Sequence, residues 1–254
     1  MKKVLSVSVD AKTIKGQSLG VLTGILYLAP HTISGFQVCP KASPQCRDAC
    51  LYTAGRGIYS KVQKARIAKT LAFFNEREKF MEILVNDIKS LIKKAKKAKM
   101  TPAVRLNGTS DIAWEKIACV VDGEKFKNVM VAFPNVQFYC YTKILGRKAA
   151  LALPNYHLTF SLSEENDSDA IKALSQGYNI AVVMNTKENE PKPATWGGYP
   201  VVDGDETDVR FYDPKGGHIV ALSAKGQAKK MGLGFVRDKN GKFNTQALEL
   251  KLVA

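Results

Sequence analysis

The sequence predicts an α/β protein: a TIM-barrel-like parallel β/α barrel, complete or partial, with a cysteine-rich loop after its first barrel strand. Three observations carry this reading. Short β-type runs alternate with helix-type runs along most of the 254 residues. Several strand runs have one apolar and one polar face. Three cysteines, Cys39, Cys46 and Cys50, fall within twelve residues just after the first of those strands.

The elements follow in order. Gly24 to Ala29 reads as the first strand, ending at Pro30, and the cysteine loop runs from His31 to Gly57, so residues 20–57 hold strand and loop together. Ser60 to about Lys99 is helical, as two helices or one bent helix, because Val62, Ile67, Leu71, Phe74, Phe80, Leu84, Ile88 and Leu91 recur at helical spacing. Pro102 to Asn107 is the next strand. A helix is expected from Asp111 with Trp114, Ile117, Ala118 and Val121 on one face. Strands at Val136–Tyr141, Tyr156–Leu162 and Asn179–Met184 enclose helices at Leu145–Leu151 and Ser168–Ser175, the latter closed by Gly177. Shorter strands are expected at Tyr199–Val202, Val209–Tyr212 and Ile219–Leu222. The whole chain, residues 1–254, reads as a single domain whose tail, 225–254, has no clear element.

The barrel rests on alternation. Arg105, Asn107 and Thr109 alternate with Val104, Leu106 and Gly108. Gln137, Tyr139, Tyr141 and Lys143 alternate with Val136, Phe138, Cys140 and Thr142. His157, Thr159 and Ser161 alternate with Leu158, Phe160 and Leu162. A doubly wound sheet covers both faces with helices, and burying such polar faces without partners is costly. A barrel packs the apolar faces on helices and lines a central site with the polar ones. An open sheet with a mixed edge is the runner-up.

Composition narrows the function classes. With 45% apolar and 24% charged residues the chain builds a sizeable core. There is no run of eighteen apolar residues, and the basic N-terminus lacks the apolar stretch of a signal peptide, so an intracellular protein is expected. The net charge is +15, and Lys89, Lys93, Lys94, Lys96, Lys97 and Lys99 crowd into eleven residues. This Lys89–Lys99 face reads either as a solvated helix end or as a surface for nucleic-acid phosphates. No aromatic residues interleave it to stack single-stranded bases.

The cysteines carry the sharpest chemistry. Cys39-x6-Cys46-x3-Cys50 lies in a Pro-punctuated polar loop of an intracellular chain, where disulfides are rare and the total of five is odd. Three close thiolates suit a [4Fe–4S] cluster, with one iron left to another group or to substrate. Zinc is the alternative, although structural zinc prefers closer pairs and four ligands. A third reading is plain packing of free cysteines. Cys140 falls on the apolar strand face and Cys119 in the helix after Trp114, both as core residues. Candidate ligand-binding residues are Arg105 and Asn107 on the inner wall and Lys143 at the barrel mouth. Asp203 and Asp205 stand in an acidic turn that lacks the remaining calcium-loop ligands.

Cys39-Pro40, Cys46, Ala49-Cys50-Leu51-Tyr52, Val104 to Ile112, Tyr141-Thr142-Lys143, Val202 to Asp205 and Ala224-Lys225-Gly226 occur in this order. Together they resemble a bacteriophage protein family, the gene-product-eighty-eight type first noted in mycobacteriophages, from about Gly20 to Phe235. The resemblance implies a phage-encoded protein made in the cytoplasm of the infected bacterial host. It supplies no reaction. A looser likeness is to radical S-adenosylmethionine enzymes, barrels that also carry three cluster cysteines after the first strand. Their usual C-x3-C-x2-C spacing differs, and that chemistry is not carried over.

Two functional expectations result. One is an iron–sulfur protein whose polar interior binds a small molecule at an open iron. The other is a basic nucleic-acid-binding or host-interaction protein braced by a structural zinc.

Overall fold

The computed structural model describes residues 1–8, 11–187 and 189–244. Strand β1 (Leu5–Val7) and helix α1 (Ala11–Gln17) precede β2 (Val21–Leu26). The cysteine loop contains the short α2 (Pro44–Asp48) and leads into α3 (Ser60–Asn75) and α4 (Arg77–Lys97). Then come β3 (Thr101–Arg105), the hairpin β4 (Cys119–Val121) and β5 (Glu124–Phe126), and α5 (Val129–Ala132). Next are β6 (Gln137–Thr142), α6 (Lys148–Leu151), β7 (Tyr156–Ser161), α7 (Asp167–Ser175) and β8 (Ile180–Met184). The last strands are β9 (Thr195–Trp196), β10 (Tyr199–Asp203) and β11 (Ile219–Ser223).

Nine strands form one sheet in the order β1-β2-β3-β6-β7-β8-β11-β10-β9. From β2 to β10 every neighbouring pair is parallel. The edge strands β1 and β9 are short and antiparallel. Of the expected barrel, complete or partial, the structure shows the large, mostly parallel sheet but not closure: among the described residues its two edges do not pair. The reason lies in the last third of the chain. A closed eight-strand barrel follows each strand with a helix. Here, among the described residues, the connections from β8 to β9 and from β10 to β11 contain no α-helix, and β10 lies outside β11.

That reversal also decides what covers the second face. From β2 to β8 each new strand is added on the same side, so right-handed crossovers put their helices on one face. Phe80, Leu84, Ile88 and Leu91 of α4 and Leu174 of α7 share one core with Val104, Phe138, Cys140, Leu158, Phe160 and Val182. Each such fully buried Leu, Ile or Phe contributes about 1.5–3 kcal/mol. The step from β10 back to β11 runs the other way, so the same handedness sends residues 204–218 across the opposite face. There Val209 packs on Val21, Ala103 and Tyr139, with Phe211 beside them. The polar strand face is thereby filled over its lower half and left open at the strands' C-terminal ends.

Local details follow from the residues. The stretch after Ser60 is two helices, broken at Glu76. The helix expected from Asp111 is absent. Asn107 draws that chain into a loop: its Oδ1 accepts from the Ser110 hydroxyl at 2.9 Å, the Ile112 N–H at 3.1 Å and the Trp114 indole at 2.9 Å. A 3-10 turn and the β4–β5 hairpin take the place of the helix. The strand expected at Val209–Tyr212 is a 3-10 turn, Arg210–Tyr212. Of the tail, residues 225–244 include a 3-10 turn at Gly226–Lys230, and 245–254 lie outside the described residues. No described helix is long and apolar enough to cross a membrane.

Candidate metal centre and ligand cavity

A cavity of about 500 Å³ opens at the C-terminal ends of the parallel strands. This volume lies in the range of small-molecule sites, and in open α/β sheets that end is where ligands bind. Cys39, Cys46 and Cys50 line it together with Arg66, Arg105 and Lys143.

Each cysteine is held by a different part of the fold. After β2 the chain is tied to the loop after β3: the Gly108 N–H donates to the Leu26 carbonyl at 3.0 Å and the Thr109 hydroxyl to the Leu28 carbonyl at 2.6 Å. Position 108 has to be glycine, since a Cβ there would stand 2.5 Å from the Tyr27 ring. The Cys39 sulfur accepts from the His31 N–H at 3.4 Å and donates to the Thr109 carbonyl at 3.7 Å. Cys46 sits in α2, where Pro44 occupies the first turn and the Ser43 hydroxyl caps the Cys46 N–H at 3.3 Å. Cys50 begins the next 3-10 turn, and its carbonyl accepts from the Thr53 N–H and hydroxyl.

The thiols influence one another. Burial pushes the Cys39 thiol up to about 12, opposed by the His31 N–H and reinforced by Cys50, Asp111 and Cys46. Burial also raises Cys50. The Tyr52 N–H lowers it, Cys46 raises it, and Arg66 and Lys143 lower it again. Burial thus favours the protonated form of Cys39 and Cys50, and any metal bound there would have to displace those protons. The three cysteines line the cavity without crowding onto a point: among the described residues, no three His, Cys, Asp or Glu side chains are gathered closely enough to hold a metal ion.

Cys140 and Cys119 are both buried in the main core, as expected of core residues. Burial raises both thiols, Cys119 to about 11.

The other candidates divide. Arg105 lines the cavity, its guanidinium over the Tyr141 ring at 4.8 Å, and its Nη1 donates to both oxygens of Asp208 at 3.0 and 2.8 Å. Lys143 lines the cavity and donates to the Ser161 hydroxyl at 2.6 Å. Asn107 reaches the cavity wall, but its amide is committed to the 110–114 loop, with Nδ2 on the Ile112 carbonyl at 2.9 Å. Asp205 lines the cavity and pairs with Lys225 at 3.1 Å and Lys192 at 3.3 Å. Asp203 does not line it; its carboxylate accepts from the Asp205 N–H at 2.7 Å and shapes the turn. Asp111 also lines the cavity, and its Oδ2 accepts the Lys143 N–H at 2.8 Å.

Sequence reasoning missed Arg66, Asp208 and Glu164. Arg66 was masked as an ordinary helix residue, although a cation four residues before the buried Thr70 is a signal of an inward face. Asp208 and Glu164 reach the site only through tertiary contacts.

The Lys89–Lys99 face lies elsewhere. Its lysines sit at the C-terminal end of α4, which leads into the start of β3, so they occupy the end of the sheet opposite the cavity. Lys89 pairs with Asp122 at 2.6 Å.

Comparison with curated proteins finds no match, and neither does comparison with solved structures. The looser likeness to radical S-adenosylmethionine enzymes gains no support. A family described as Gene product 88 matches residues 4–239. Those residues contain the whole sheet, the cysteine loop and the cavity, and the chain belongs to the Gene product 88 family, the bacteriophage family its motifs resemble.

Proposed function

We propose that the protein holds a [4Fe–4S] cluster on Cys39, Cys46 and Cys50 and binds a small molecule beside it in the cavity. One observation supports the reading: three cysteines from separate turns line one cavity that cationic side chains also line. In a [4Fe–4S] cluster each thiolate binds a different iron, so the ligand sulfurs stand farther apart than around one zinc ion. A zinc ion with bonds of about 2.3 Å demands a tighter group and a fourth donor. Three cysteines with no fourth cysteine or histidine at matching spacing suit the cluster better than zinc. Arg66 and Lys143, which favour the Cys50 thiolate, offset the negative charge of the thiolate-bound cluster. With three protein ligands, one iron would be left to another group. A bound cluster would supply electron transfer or Lewis acidity; Cys39, Cys46 and Cys50 would hold it, and the cavity's other residues would bind what approaches it.

The proposed place of action is the reducing cytoplasm of the infected bacterial host, where free thiols persist. Anaerobically purified protein is expected to be brown, with broad visible absorbance, and the triple Cys→Ser variant to be colourless while keeping its circular dichroism spectrum. Equal colour in both proteins, or colourless wild type, overturns the proposal.

A second reading concerns the opposite end of the molecule. Lys93, Lys94, Lys96, Lys97 and Lys99 are exposed, which favours contact with a nucleic-acid backbone there. Affinity for duplex DNA is then expected to fall steeply with salt and to weaken on charge reversal of Lys93 and Lys97. Absence of binding at low salt removes this reading.

A further inference from the structure

We propose that the ligand of the cavity is a small organic monoacid, its carboxylate held by Lys143 and Arg105 and its apolar body laid against Ile25, Val183 and Leu222. The inference deepens the proposed function by naming the ligand class; it rests on the same cavity but not on the iron.

Charge is the first support. Five cationic side chains line the cavity against three carboxylates. Each carboxylate is already engaged: Asp208 with Arg105, Asp205 with Lys225 and Lys192, and Asp111 with the Lys143 N–H and, at 3.6 Å, with Arg147. The Lys143 ammonium has no carboxylate partner among the described residues. It holds the Ser161 hydroxyl at 2.6 Å and the Ser161 carbonyl at 3.4 Å, with the Phe235 ring 5.6 Å away.

Donor geometry is the second. Arg105 gives only Nη1 to Asp208, and its Nε is wholly buried with no hydrogen-bond partner. A buried guanidinium with an unused edge is built to receive a planar anion, because leaving such a donor unpaired is costly. Asp208 offsets most of the Arg105 charge, and the cations that remain favour an anion in the cavity. The flat edge of the guanidinium matches a planar carboxylate better than a tetrahedral phosphate.

The walls supply the third support. Ile25, Val183 and Leu222 close the cavity with hydrocarbon, and Tyr27 and Tyr141 add aromatic faces. Few polar groups among apolar walls are the usual composition of a small-molecule site. Lys143 also acts on Cys50, so the acid's head is placed on the side of the cavity where the cysteines stand.

Isothermal titration of the full chain with phenylacetate, phenylacetamide and phenyl phosphate tests this. The acid is expected to bind about tenfold more tightly than the isosteric amide, through a charge-assisted contact, and more tightly than the phosphate ester. Lys143→Gln is expected to erase the preference for the acid without lowering the melting temperature. Acid and amide of equal affinity, no binding of either, tighter binding of the phosphate ester, or an undiminished preference in Lys143→Gln overturns the inference. The titration is repeated on the triple Cys→Ser variant, with iron and sulfide measured on each sample. Acid preference in iron-free protein supports the ligand class while the cluster reading falls alone. Iron-loaded protein without acid preference overturns the ligand class and leaves the cluster standing.

Discussion

The carboxylate of Glu164 caps the helix that carries Cys46: its Oε1 accepts the Gln45 N–H at 2.8 Å and its Oε2 the Ser43 hydroxyl at 2.7 Å. Glu164 follows β7, so this contact pins the cysteine loop to a strand on the far side of the cavity. The Gln45 side chain extends the clamp by accepting the Phe235 N–H at 2.7 Å.

Glu164→Ala is therefore expected to loosen residues 43–50 with little effect on the sheet. The loss is about 1–3 kcal/mol of local stability, from two hydrogen bonds to a charged acceptor. Hydrogen exchange measures it. Amides of the loop should exchange faster while those of β6 and β7 keep their protection, and iron uptake should fall. Uniform acceleration along the chain would mean that Glu164 braces the whole fold.

The Arg105–Asp208 pair fastens the 204–218 crossover to the sheet, and the Tyr139 hydroxyl donates to the same carboxylate at 3.1 Å. Asp208→Asn strands a buried guanidinium and is expected to cost about 3–5 kcal/mol in urea unfolding. Replacing both partners with apolar residues should recover most of that loss. A double variant as unstable as the single one would show that the pair itself, and not the orphaned charge, sets the stability.

His157 and Asp213 give the lower half of this face opposing pH dependences. Burial lowers His157 to about 4, helped by Arg210 and Lys215, and burial raises Asp213 to about 6, against the pull of Arg210. Between pH 4 and 6.5 the unfolded His157 binds more protons than the folded one, so its contribution to stability falls as the solution is acidified. The folded Asp213 binds more than the unfolded one, so its contribution rises on acidification through about pH 6 to 4. His157→Asn removes the first effect alone. Relative to wild type, the variant should gain stability progressively from pH 6.5 down to 4, by up to about 3 kcal/mol. Thermal melts across that range check it, and a difference that stays constant with pH would contradict the buried, neutral histidine.

Much of this arrangement was legible in the sequence. Alternation along β3, β6 and β7 separated the faces correctly: Val104, Phe138, Cys140 and Phe160 pack under helices, and Arg105, Tyr141 and Ser161 line the cavity. Alternation is local, a consequence of strand pleat, and so it survives without tertiary knowledge. The lack of closure was not legible, because it depends on β10 pairing outside β11, a non-local choice with no mark in either strand. The 111–118 segment misled for a different reason. Its apolar spacing fits a helix, but Asn107 and the buried Trp114 indole give the backbone competing partners. Asn107 itself was read as a ligand donor because its alternation is right; its hydrogen bonds are spent on its own loop. The cysteines' spacing identified a shared loop, and only the fold revealed that this loop is clamped by Glu164 and faces a cavity.

The central claim is that Cys39, Cys46 and Cys50 capture a cluster at the cavity wall. Quantifying iron and acid-labile sulfide per chain in strictly anaerobic protein tests it most directly. About four of each per chain are expected, falling to background in the triple Cys→Ser variant. Stoichiometric zinc without sulfide, or no metal in protein that binds and releases ligand normally, would contradict it.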